Sequence, residues 1–358
     1  MRHLWRYFML MTICTLSVGC VGVHHATPTS KVTAISIGRG KAEEPDAANN
    51  PATTSASSTS SIAKAPAVPD AAPKSGNGDT NGKKEDKKEE PKHIRDNAIL
   101  VEEAFNQEPG EVQHIFVWQN FWDRTSQGRT RDFSLAYTME LPLGSQKHQF
   151  SFTAQHLTHF DDPNIGPAAQ QGDVGDTFLN YRYQLLADEE FLWCAPRFSV
   201  ILPTGDRYLG TGTGAVGYQF NLPVSHYGAQ FDFHFNAGCT YTPDVAVPIS
   251  LVPKVLSPRH DLRGYNLGAS VYWKPKVNFH LYVEALALWR DEIDEWGSRV
   301  STTQVFISPG LRFAVIQEPL EWVLGVGVPI GLTRAAPDIG VFAYMSIEHP
   351  FRKKKNGD

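Results

Sequence analysis

The stretch Phe231-Asp232-Phe233-His234-Phe235-Asn236-Ala237-Gly238-Cys239-Thr240-Tyr241 decides how this chain folds. Its odd positions are apolar or aromatic, and its even positions include Asp232, His234 and Asn236. A period of two is the mark of a strand with one apolar and one polar face. The same alternation recurs on both sides. Tyr265-Leu267-Ala269-Val271-Trp273 interleaves with Asn266, Gly268, Ser270 and Tyr272. Phe133-Leu135-Tyr137-Met139-Leu141 interleaves with Asp132, Ser134, Ala136, Thr138 and Glu140. Trp322-Leu324-Val326-Val328-Ile330-Leu332 interleaves with Val323, Gly325, Gly327, Pro329 and Gly331.

Working outward from these, twelve such segments lie near 111–122, 131–143, 146–159, 174–187, 191–203, 213–223, 229–241, 264–274, 278–290, 300–315, 320–333 and 338–351. Each supplies the ~9–11 residues that a tilted strand needs to cross a bilayer. The even number is what single-chain outer-membrane barrels require. The connections alternate in length. Those at 123–130, 160–173, 204–212, 242–263 and 291–299 are long; those near Gly144, 187–190, 225–228, 274–277 and Pro319 are short. A soluble sandwich has no reason to keep its long loops on one side, whereas a barrel with periplasmic turns and extracellular loops does. The expected fold is therefore all-β: a twelve-stranded antiparallel transmembrane β-barrel over 110–351, preceded by a disordered linker.

The faces agree. Asp132, Glu140, Arg182, Arg197, Asp232, Glu284 and Arg312 all fall on the polar, lumenal side. Trp122, Trp273, Trp289 and Trp322 lie near strand ends, where aromatic girdles sit. The pore candidates are Arg182, Arg197, Asp232, His234, Glu284 and Arg312, because an interior charge is costly unless paired or wet. Arg182 and Arg197 are expected on neighbouring strands, and Glu284 is expected to meet Arg312. Pairs of this kind serve equally to rigidify a filled barrel. Cys194 and Cys239 are expected on the apolar face rather than in a disulfide.

Ahead of the barrel, Arg2 and Arg6 precede an apolar run, Phe8 to Val18, that is too short to span a membrane as a helix. The run ends Ser17-Val18-Gly19-Cys20, which resembles a bacterial lipobox with Cys20 as the lipidation site, although Ser17 stands where Leu is usual. Ordinary cleavage nearby, for example after Ala26, is the alternative. Residues 1–20 thus read as a signal peptide. Residues 21–95 read as a low-complexity linker unable to bury enough apolar surface to order itself. The chain has 8 Trp, 12 Tyr and 20 Phe, yet none of them lies in 27–95. Residues 96–109 read as a short amphipathic helix or an extended lead-in ended by Pro109-Gly110. Residues 352–358 form a basic tail.

Composition excludes several classes. A net charge of −5 gives no electrostatic reason to expect nucleic acid. Four Cys without a C-x-x-C pair favour neither a disulfide scaffold nor zinc, and no cofactor is expected. Gly172-Asp173-Val174-Gly175-Asp176 lacks the alternating oxygen ligands and distal Glu of a calcium loop. Gly210 to Gly214 has no following Lys to cradle phosphate. No outward Ser is placed beside His156 or His349, so an enzyme is not expected.

Gly172 to Asp176 opening a strand, LNYRYQLL at 179–186, Arg197 to Asp206 ending Pro203-Thr204-Gly205-Asp206, and GTGTGAVGYQF at 210–220 resemble the family of outer-membrane barrels associated with the meta-pathway of phenol degradation. The resemblance covers about 170–240 and implies a transmembrane barrel passing small hydrophobic or aromatic compounds. A long lipid-anchor linker is not part of that pattern. The last strand, Ile339 to Phe351, ends on an aromatic. This resembles the signal read by the barrel assembly machinery, but with His349 in an apolar place and a tail after Phe351. Expected partners are outer-membrane lipid, that machinery and a small hydrophobic solute. The expected location is the bacterial outer membrane. A structural or surface-anchored barrel without transport is the competing expectation.

Overall fold

The computed structural model describes residues 94, 96, 100–126, 128–164, 166–187, 192–249, 255–294, 296–317 and 320–351. The expected signal peptide, Cys20, most of the linker and the basic tail lie outside them. The twelve strands are β1 (Glu111–Thr125), β2 (Gly128–Pro142), β3 (His148–Pro163), β4 in pieces Ala169–Val174, Thr177–Tyr183 and Leu186–Ala187, β5 in pieces Trp193–Cys194 and Arg197–Leu202, β6 (Gly217–Tyr227), β7 (Phe231–Val245), β8 (His260–Lys276), β9 (Phe279–Ile293), β10 (Arg299–Gln317), β11 in pieces Leu320–Gly327 and Ile330–Gly331, and β12 (Ile339–Pro350). Each pairs antiparallel with its neighbours in sequence. The first and last strands close the ring, from Glu111↔Pro350 to Trp122↔Ile339. Closure leaves no edge strand to be satisfied by lipid.

The period-two pattern sets the faces as expected. Phe231, Phe233 and Phe235 point outward and are exposed, while Asp232, His234 and Asn236 between them are buried in the lumen. Trp273 and Trp322 stand exposed near the end that carries Glu111 and Pro350, here the turn end. Trp122 and Trp289 stand exposed near the opposite, loop end. The outer wall is therefore an apolar band with indoles towards both rims.

Three expectations change. First, several of the long loops are largely strand. β1 and β2 pair up to Thr125↔Gly128, and β2 and β3 up to Gly128↔Pro163. Polar residues there extend the ladder because a strand beyond the bilayer needs no apolar face. The connection at 203–216 stays irregular. Second, the turn placed at 225–228 falls later, so Ser225 and Tyr227 are strand residues and Ser225 is fully buried. Third, of the two readings of 96–109 the helix is the one that does not form among the described residues, and Ile94, inside the expected linker, is already buried. This segment lies inside the barrel. There its main chain finds polar partners on the wall that a helix would have satisfied within itself.

Candidate functional site

The lumen of the turn-end half is filled by the chain just ahead of β1. Leu100 N–H donates to Glu284 Oε2 at 2.8 Å, and Glu102 N–H to Asn236 Oδ1 at 2.6 Å. Ala104 N–H donates to Ser225 Oγ at 2.9 Å, Asn106 N–H to Gln184 Oε1 at 2.9 Å, and Gln107 N–H to Gln149 Oε1 at 2.7 Å. Arg182 Nη1 donates to the Phe105 carbonyl at 2.8 Å. The segment returns to the wall where Glu111 N–H bonds the Glu108 carbonyl. Its far end is near the same rim. Asp96 bonds Tyr344 and Gln113, and its carbonyl accepts from Arg312 Nη1 at 3.1 Å.

Two adjacent carboxylates carry the charge. Glu102 takes the Arg197 guanidinium through both oxygens at 3.0 Å, Arg182 Nη2 at 3.0 Å and Asn221 Nδ2 at 2.7 Å. Glu103 takes Arg312 Nη1 at 2.6 Å and the Tyr227 hydroxyl at 3.0 Å. Arg312 is held by more than its charge partner. Its guanidinium lies 4.3 Å from the centroid of the Tyr272 ring, and its Nε donates to His280 Nδ1 at 3.2 Å. Burial pushes the Glu102 carboxyl up, but Arg197 and Arg182 outweigh it and hold the group below its ordinary value. At Glu103 burial prevails, and the carboxyl sits above its ordinary value despite Arg312. A second buried pair, Asp232 with Lys274 at 2.6 Å, lies at the same level.

Above this polar tier, part of the wall turns apolar inward. Leu286, Leu288, Phe306, Phe121 and Phe342 are buried in one cluster with Ile94 and Leu100 of the segment, and Phe121 of β1 meets Phe306 of β10 with ring centroids 5.9 Å apart.

The motifs that carried the family resemblance meet at the loop end. Asp176, at the break in β4, accepts from Gly205 N–H at 3.0 Å and from Thr213 N–H at 3.0 Å. A Cβ on Gly212 would sit 2.5 Å from Asp176 Oδ1, and one on Gly205 would sit 2.4 Å from the Thr211 carbonyl. The two glycines therefore serve close approach, and the GDVGD and GTGTG stretches are one latch over the 203–216 loop.

All six pore candidates line the polar tier; Arg182 and Arg197 stand on neighbouring strands as expected, and the expected meeting of Glu284 with Arg312 does not occur. Arg182 and Arg197 are directly opposed in register. They tolerate each other because Glu102 sits between them. Glu284 and Arg312 do not pair. Glu284 opposes Ser308 and Arg312 opposes His280, four residues along the strand. Glu284 instead receives the Leu100 N–H and the Tyr272 hydroxyl, the latter at 3.0 Å. His234 Nδ1 bonds Ser225 Oγ at 2.8 Å. Cys239 is exposed as expected, but Cys194 is buried in the short ladder with Leu186. Glu102, Glu103, Ser225, Asn236, Gln184 and Gln149 were not singled out from the sequence. Two consecutive Glu in a stretch about to enter an apolar-walled barrel were the available signal. Among the described residues no group of three or more His, Cys, Asp or Glu is placed to hold a metal.

No family model matches this chain, and no curated protein does. Solved structures do. An outer-membrane channel from Pseudomonas putida F1 is similar at 12% identity and a TM-score of 0.51, over 69% of this chain and 98% of that one. The transport unit of the autotransporter AIDA-I from Escherichia coli gives 12% identity and a TM-score of 0.45, over 68% and 91%. The CymD monoaromatic hydrocarbon channel gives 8% and 0.33, over 70% and 90%. At this identity, the first likeness shows the fold. The chain is a barrel of the bacterial outer-membrane type.

Proposed function

We propose that this protein is a non-enzymatic outer-membrane channel for small hydrophobic or aromatic molecules, closed at rest by its own residues 100–108. The observation that carries the reading is the lumen itself: an inward apolar wall of Leu286, Leu288, Phe306 and Phe342 above a segment held by side-chain bonds rather than by strand pairing. A segment held in this way can move without unpairing any wall strand. The fold shared with the Pseudomonas putida F1 channel supports the reading, as does the resemblance in the 170–220 motifs. The architecture supports an outer-membrane location: an apolar outer wall calls for lipid, and Phe351, directly after the last strand, is an aromatic fit to be read by the assembly machinery.

The combined substitution of Glu102→Gln and Glu103→Gln removes both charges that seat the segment. In planar bilayers it should turn a mostly closed barrel into one with steady conductance. In cells it should speed uptake of the aromatic probe N-phenyl-1-naphthylamine. The density of bonds in the lumen favours a second reading, a purely structural barrel. If variant and wild type insert normally and neither conducts nor admits the probe, the structural reading stands and the channel falls.

A further inference from the structure

Four of the main-chain bonds that seat the lumenal segment share a spacing, while the Val101 N–H also reaches Glu284 Oε1 at 3.4 Å and the Gln107 N–H reaches Gln149. The N–H groups of Leu100, Glu102, Ala104 and Asn106 fall on every second residue. Their acceptors come from four different strands: Glu284 on β9, Asn236 on β7, Ser225 on β6 and Gln184 on β4. Gln184 stands in the short step between two pieces of β4. The segment bends at Leu100, Val101 and Ala104 and is no strand, yet its alternate N–H groups meet the wall as those of a strand meet its neighbour. Two of the wall amides bond both a donor and an acceptor. Asn236 accepts the Glu102 N–H and donates Nδ2 to the Glu102 carbonyl at 2.7 Å. Gln184 accepts the Asn106 N–H and donates Nε2 to the Ala104 carbonyl at 2.9 Å. The wall thus offers a row of side chains in place of a neighbouring strand's backbone, a side-chain counterpart of strand addition.

Main-chain bonds of this sort are blind to sequence. Selectivity comes from three side chains. Glu102 enters the Arg182–Arg197 fork, Glu103 reaches Arg312 and Tyr227, and Phe105 packs on Trp193 with ring centroids 5.6 Å apart.

We propose that the turn-end lumen is a peptide-binding site for acidic segments, two consecutive carboxylates followed two positions later by an aromatic, and that residues 100–107 are its tethered occupant. This inference stands apart from solute passage. It concerns what the lumen recognises, whether or not anything crosses.

The test uses the full chain with a specific protease site inserted between Pro109 and Gly110, purified in detergent and then cut. A fluorescent peptide of residues 100–107, Leu-Val-Glu-Glu-Ala-Phe-Asn-Gln, is titrated and followed by anisotropy. The cut barrel should bind it saturably, the uncut barrel at least tenfold more weakly, and the Gln-Gln version of the peptide at least tenfold more weakly still on the cut barrel. Absence of saturable binding overturns the proposal, and so does equal binding of the Gln-Gln or an order-scrambled peptide. Should cutting unfold the barrel, the uncut chain carrying Glu102→Gln and Glu103→Gln serves instead. Its weakened occupant should let the free peptide bind better than it does to wild type, and equal binding overturns the proposal. Conductance, read separately, decides the channel.

Discussion

Arg312 shows what a single residue contributes here. It is 1% exposed, ion-paired to Glu103 and stacked on Tyr272. Removing one partner of a buried pair leaves the other's charge without compensation, which costs about 3–5 kcal/mol. Arg312→Ala should therefore lower stability to denaturant by about that much, and adding Glu103→Leu should restore most of it. A loss below about 1 kcal/mol would mean that water reaches Glu103. Asp176 is the corresponding residue at the loop end. Asp176→Ala leaves the N–H groups of Gly205 and Thr213 without their acceptor and should cost about 1–3 kcal/mol. The loss should concentrate in faster hydrogen exchange over 203–214. Unchanged exchange there would sink the latch.

At the scale of elements, the strands were legible because a barrel wall has two solvents, and alternation records both. Phe233 and Asp232 differ in burial as their neighbours in sequence foretell. The lumenal segment was not legible. Leu100, Val101, Ala104 and Phe105 carry the spacing of an amphipathic helix. What holds them otherwise are side chains 184, 134, 121 and 78 positions away in the chain. Local pattern carries no record of contacts so distant. The pairing of Arg182 with Arg197 shows the same limit, since register was readable but the Glu102 between them was not. Strand β12 gives an element-scale prediction. Ala343 pairs with both Trp118 and Val326, so Ala343→Pro removes a ladder donor at the seam. It should abolish the faster gel mobility of the unheated, folded barrel. Ala343→Val, on the outward face, should leave that mobility intact. A proline variant that runs as folded would show that closure does not depend on this pairing.

For the whole molecule, the outer wall and the polar lumen were both foreseen, and the burial of the chain ahead of the first strand was not. Ile94, Asp96 and Leu100 to Ala104 are already buried ahead of Gly110. The distribution of aromatics foreshadows this only weakly, because Phe105 is the sole aromatic between 27 and 115. Export and anchoring rest on the sequence ahead of the described residues. If Cys20 is the lipidation site, mass spectrometry of the mature protein should find a diacylglyceryl-modified peptide beginning there. An unmodified terminus downstream of Cys20 would remove the anchor and leave the barrel untouched.

The lumenal segment joins β1 through only Pro109 and Gly110, with Glu108 already bonded to Glu111. A ligand on so short a leash is present at its site at an effective concentration on the order of millimolar. Any free peptide or solute that competes for the same space starts against that figure, whatever its intrinsic affinity. Because residues 100–107 are held by side chains and pair with no wall strand, they can leave the lumen while the ring stays shut. Occupancy is thus an intramolecular equilibrium, independent of how much protein the membrane holds. A modest pull on the chain ahead of Ile94 would act on it as a change in concentration does on a free ligand.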